Sequence, residues 1–105
     1  MVWASVAPRQ TEPELLPLLT EQDFVHIPSV SKIEARPPSL YVTMSALRWR
    51  EMNDLERWQV LDQIGTIAGR ADYVGAHMRT TDGKTVGRWS KVKGVKAIKR
   101  TPGAS

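Results

Sequence analysis

The chain has 105 residues, of which 41% are hydrophobic and 25% charged, with no cysteine and a formal net charge of +4. That length supports one modest core of a globular domain, and the missing cysteines exclude disulfide and thiolate chemistry. No apolar run is long enough to span a membrane, and MVWASVAPRQ at the start lacks the basic and apolar blocks of a secretory signal, so a cytoplasmic protein is expected.

Six of the seven prolines (Pro8, Pro13, Pro17, Pro28, Pro37, Pro38) lie in the first 38 residues. Each removes a backbone donor and restricts its predecessor, so long helices are not expected there. Residues 1–22 read as a Pro-rich arm that packs on the body or on a partner, with one helical turn around Leu15, Leu16, Leu18 and Leu19. Thr20-Glu21-Gln22-Asp23 carries an N-cap pattern for a second turn. Phe24-Val25-His26-Ile27 reads as a short strand ending before Pro28, and Ser29 to Ala35 alternates less cleanly.

Beyond Pro37-Pro38 the pattern sharpens. Leu40, Val42, Met44 and Ala46 alternate with Tyr41, Thr43 and Ser45, the period of a strand. Asn53 followed by Glu56 is a capping-box signature. At about 100° per residue, Val60, Leu61, Ile64, Ala68 and Ala71 then share one helix face, opposite Gln59, Asp62, Gln63, Thr66 and Arg70. Trp58 sits at the margin of the apolar stripe, and Trp58 and Trp89 are expected in the core. Gly65 and Gly69 each weaken a helix by up to about 1 kcal/mol, which points to close packing against a sheet.

Tyr73–Thr80 and Thr85–Val92 form a hairpin joined through Asp82-Gly83, a dipeptide suited to a type I′ turn. A two-residue loop places Met78 opposite Gly87, Ala76 opposite Trp89, His77 opposite Arg88 and Arg79 opposite Val86. Val74, Ala76, Met78 and Trp89 then face the core, and Tyr73, His77, Arg79 and Arg88 face outward. The expected fold is α+β: one amphipathic helix (about 53–71) on an antiparallel or mixed sheet, with a β-α-β-β core. The domain spans 23–92, followed by a basic tail from 93 to 105.

Few motifs suggest chemistry. Gly83-Lys84-Thr85 ends like a phosphate-binding loop, but that loop needs glycine where Met78 stands and a helix after the lysine. His26 and His77 are far apart and no cysteine accompanies them, so no metal ligand set is expected. Glu51, Asp54 and Glu56 cluster at a helix start, where the macrodipole favours acids without any catalytic pairing. Neither a nucleophile elbow nor a histidine–acid partner is present. A non-enzymatic protein without cofactor is expected.

Charge is the one feature above background. Residues 1–78 hold seven Lys/Arg against ten Asp/Glu, a net of −3, whereas residues 79–100 hold eight against one, a net of +7. Those eight are Arg79, Lys84, Arg88, Lys91, Lys93, Lys96, Lys99 and Arg100. Clustered cations release counterions from a phosphate backbone, and Tyr73 beside them is positioned to stack on a base. The first expectation is a module whose hairpin and tail contact nucleic acid or another polyanion, an acidic protein surface included. The alternative is an adaptor or assembly subunit that docks a protein through its Pro-rich arm, with Trp3, Leu15 and Leu16 as partner-binding residues.

Overall fold

The computed structural model describes residues 16–98, which build one five-stranded sheet and two helices. The strands β1 (Val30–Arg36), β2 (Ser39–Met44), β3 (Gly75–Thr80), β4 (Thr85–Ser90) and β5 (Gly94–Ala97) are neighbours in sequence order. β2 and β3 run parallel and the other pairs antiparallel. A parallel pair needs a crossover, which α1 (Ala46–Glu51) and α2 (Asp54–Arg70) supply. The fold is thus α+β with one long helix on a mixed sheet, and the β-α-β-β core gains a strand at each edge. Residues 94–97, assigned by sequence to the tail, pair with β4 as β5. Trp3, Leu15, Lys99 and Arg100 lie outside the described residues.

The capping box of α2 forms as expected. Asn53 Oδ1 accepts from the Glu56 N–H at 2.8 Å, and Glu56 Oε1 accepts from the Asn53 N–H at 2.8 Å. Leu61, Ile64 and Ala68 are fully buried, while Val60 and Ala71 pack at the core margin. The helix lies across β3, β4 and β5. Its two glycines admit the Trp89 indole, and Leu61 occupies the space left by Gly87. Trp58, expected in the core, is instead 45% exposed. The buried tryptophan of this region is Trp49 on α1. That helix starts where the sequence pattern still reads as strand, because the Ser45 hydroxyl accepts from the Arg48 N–H and caps it. Ala46 is therefore helical.

Helix α2 closes in a Schellman arrangement: the Asp72 N–H donates to the Gly69 carbonyl and the Tyr73 N–H to the Ala68 carbonyl, both at 3.0 Å. Asp72 takes the left-handed position at φ 68°. This cap corrects the outward placement of Tyr73 and the inward placement of Val74. The strand begins only at Gly75, so its alternation does not reach back across the cap. Tyr73 is fully buried, and Val74 is half exposed. The Tyr73 hydroxyl donates to the Pro17 carbonyl at 2.6 Å and accepts from the Leu19 N–H at 3.4 Å. It ties the described part of the arm to the domain. Tyr73→Phe leaves those two backbone groups without their partner, and urea unfolding should show a loss of about 1–2 kcal/mol.

The arm's end is part of the core. Leu19 is buried and Leu16 packs against the core cluster. Thr20 caps a 3₁₀ turn, Glu21–Phe24, in which the Asp23 side chain reciprocates the cap. Phe24-Val25-His26-Ile27 is therefore no strand: Phe24 ends this turn, and Phe24 and Ile27 are its buried anchors. The turn packs on β1. Glu21 accepts from the Ile33 N–H at 2.9 Å, which occupies a donor on an edge strand. The same bond holds the Glu21 carboxyl below the usual carboxylate range.

The β3–β4 hairpin keeps most of its expected register through a different turn. Met78 opposes Gly87, Ala76 opposes Trp89 and His77 opposes Arg88. Yet the Gly83 N–H donates to the Thr80 carbonyl and the Thr80 N–H to the Lys84 carbonyl, so the loop is Thr81-Asp82-Gly83. Gly83 has φ 85°, whereas Asp82 does not have positive φ, which rules out type I′. The longer loop shifts Arg79 opposite Thr85, and a bulge at Val86 restores the register beyond it. Val86 packs against the core rather than outside, and its carbonyl accepts from the Ile98 N–H.

Candidate nucleic-acid interface

α2 and the N-terminal segment cover one face of the sheet, where Leu40, Val42, Met44, Ala76 and Met78 are buried. Strand alternation turns the intervening residues to the other face, where Glu34, Tyr41, His77, Arg79, Arg88 and Lys96 are exposed. The register assembles this open face in rows. Glu34, Tyr41, His77, Arg88 and Lys96 are consecutive partners across all five strands. Beside them run Lys32, Thr43, Arg79 and Thr85. Arg36 stands at the β1 end of the next row.

Five cations, Lys32, Arg36, Arg79, Arg88 and Lys96, thus share a surface with one acid, Glu34, and all six side chains are exposed. Glu34 pairs with Arg36 at 2.6 Å. Arg79, Arg88 and Lys96 form no salt bridge among the described residues. Between the charges lie two aromatic rings. Tyr41 and His77 stack with centroids 4.9 Å apart and planes 10° from parallel, and the Arg36 guanidinium lies 5.6 Å from the Tyr41 centroid. A shallow open trough of about 370 Å³ runs over this group, lined by Lys32, Arg36, Tyr41, His77, Arg79 and Arg88.

The eight cations expected as a polyanion site therefore divide. Arg79, Arg88 and Lys96 meet on the open face. Lys84 sits in the β3–β4 turn. Lys91 and Lys93 belong to the β4–β5 turn at the other end of β4, with Lys91 Nζ 3.7 Å from Asp72. Lys99 and Arg100 are outside the described residues. Tyr73 is buried and unavailable as a stacking platform; the tyrosine exposed on the open face is Tyr41, stacked on His77. Lys32, Arg36 and Tyr41 lie outside the basic C-terminal segment that the charge pattern marks. Their signal was the alternation of Lys32, Glu34 and Arg36 with Ile33 and Ala35, which marks β1 as a half-buried strand.

A larger groove of about 800 Å³ separates the β3–β4 turn from α1 and the start of α2, and includes Trp49, Arg50, Asp54, Arg57, Asp82 and Lys84. Two of its charged groups, Arg57 and Asp82, are committed to structure. The Arg57 guanidinium lies over Trp49 and donates to the Trp49 carbonyl at 3.0 Å. Asp82 accepts from the Thr80 hydroxyl, which holds its carboxyl below the usual range with help from Lys84. Gly83-Lys84 is a turn followed by a strand, as expected once the phosphate-loop spacing fails.

Among the described residues no three His, Asp or Glu side chains converge as a metal cage would require, and no helix is long and apolar enough to cross a membrane. No family model matches the chain, and neither a curated protein nor a solved structure matches it.

Proposed function

We propose that this chain is a non-enzymatic binding module whose open sheet face contacts nucleic acid. The observation that carries the proposal is the row geometry. Strand register places Arg79, Arg88 and Lys96, from three neighbouring strands, on one uncovered surface with Lys32 and Arg36. A solvated face needs no such convergence and would mix both signs of charge. Here one acid is already neutralised by its neighbour, which leaves a positive surface. Phosphates on such a surface release their condensed counterions, so binding weakens as salt rises.

The adaptor alternative has no comparable support. Leu16 packs on its own core, and the Tyr73 hydroxyl holds the arm's end in place. The test is fluorescence anisotropy of a labelled twelve-nucleotide strand, titrated from about 50 to 200 mM salt. Binding should appear at low salt, and log affinity should fall linearly with log salt. Absence of binding at the lowest salt contradicts the proposal.

A further inference from the structure

The charge accounts for attraction to any polyanion, but not for two aromatic rings at the centre of the positive face. We infer that the Tyr41–His77 stack is a platform for unpaired bases, so that the ligand is a single-stranded polynucleotide rather than a duplex. This inference rests on the nucleic-acid reading of the same face.

The rings stand on adjacent strands as register partners, near the spacing of the strands themselves. Parallel rings so placed have their remaining faces turned along the row, one toward β1 and one toward β4. The β1 side is closed: Arg36 lies over Tyr41, and Glu34 holds Arg36 through its Nε at 2.8 Å and through the ion pair. The β4 side leads to Arg88, the register partner of His77. Arg88 is exposed and in no salt bridge among the described residues. A base laid beside His77 extends the stack Arg36, Tyr41, His77, base, with the exposed Arg88 side chain swinging aside to admit it and its guanidinium covering the second face. Arg79 and Lys96, beside and beyond Arg88, are then at hand for the flanking phosphates. A duplex keeps its base faces stacked on one another, so it meets only the charges. Every base has a π-face, so the platform tolerates any sequence.

The experiment compares four probes at one salt concentration: oligo-dT, oligo-rU, a DNA duplex of equal length and inorganic polyphosphate. The wild type should bind the two single strands at least about tenfold more tightly than the duplex or polyphosphate. Tyr41→Ala and His77→Ala should each reduce single-strand affinity by about tenfold, leave duplex affinity unchanged and leave the salt slope intact. His77→Phe should retain the single-strand preference. All three changes are on exposed side chains, and circular dichroism will verify the fold. Equal binding of duplex, polyphosphate and single strands, or alanine variants that bind single strands like the wild type, overturns the base platform while leaving the charge-based proposal standing. Failure of every probe at low salt overturns both.

Discussion

Replacing Arg79, Arg88 and Lys96 together with alanine should lower single-strand affinity by about 100-fold at 0.1 M salt. The estimate follows from counterion release, in which each neutralised phosphate contributes about 0.7 to the slope of log affinity against log salt. Removing three contacts flattens that slope by about 2, and at 0.1 M the same change is about two decades in affinity. The comparison variant is Lys84/Lys91/Lys93→Ala, which removes the same formal charge from the turns at the ends of the hairpin. A diffuse attraction would weaken equally in both. A surface built by register loses its affinity mainly in the first, because those three side chains share the open face. All six residues are exposed, so stability should change little in either variant. Equal losses in the two variants would remove the sheet face as the binding site.

Placing the site depended on knowing which residues share a face, and this was only partly legible. The charge asymmetry was plain in the sequence, as were α2 with its capping box and the pairing of Met78 with Gly87. These features are local: a cap is settled within four residues, and the hairpin register follows from its turn and alternation. Even there the turn is one residue longer than Asp82-Gly83 suggests. The bulge at Val86 compensates, so the distal register holds. Alternation in β1 holds from Lys32 to Arg36 but breaks at a register shift between Val30 and Lys32. Prolines also flank the strand on both sides, so its period is harder to read than that of β2. Tyr73 departs from the strand alternation because a Schellman cap precedes β3, and the strand period cannot be extrapolated through a left-handed residue. Trp58 is exposed because a residue at the stripe's margin is buried only if a neighbouring element covers it, and that is a tertiary fact. The basic platform needed both β1 and the parallel β2–β3 pairing, neither of which hydrophobic period alone specifies. Tyr41 therefore stayed unconnected to His77, thirty-six positions along the chain, until the register joined them.

Gly65→Ala should destabilise the domain by about 1–3 kcal/mol, although alanine is the better helix former. Propensity alone favours the substitution by up to about 1 kcal/mol. Against it stands a steric conflict: a Cβ at Gly65 would lie 2.3 Å from Trp89 Cδ1, 2.6 Å from Cγ and 2.7 Å from Nε1. Three atoms of one rigid ring cannot be avoided by rotating a flexible end, so the indole or the helix must move. The helix cannot move easily, since Leu61, Ile64 and Ala68 on the same face are fully buried, and overpacking of this kind costs about 1–3 kcal/mol. At Gly69 the nearest indole atoms would be 3.2 and 3.4 Å away, so Gly69→Ala should cost much less. The mechanism is separable by a double-mutant cycle measured in urea. In a Trp89→Val background the obstructing ring is absent, and Gly65→Ala should become neutral or stabilising as propensity takes over. The sign of the substitution thus reports directly on the indole. Destabilisation of equal size with and without Trp89 would mean that this close approach of helix and sheet is not what requires glycine at position 65.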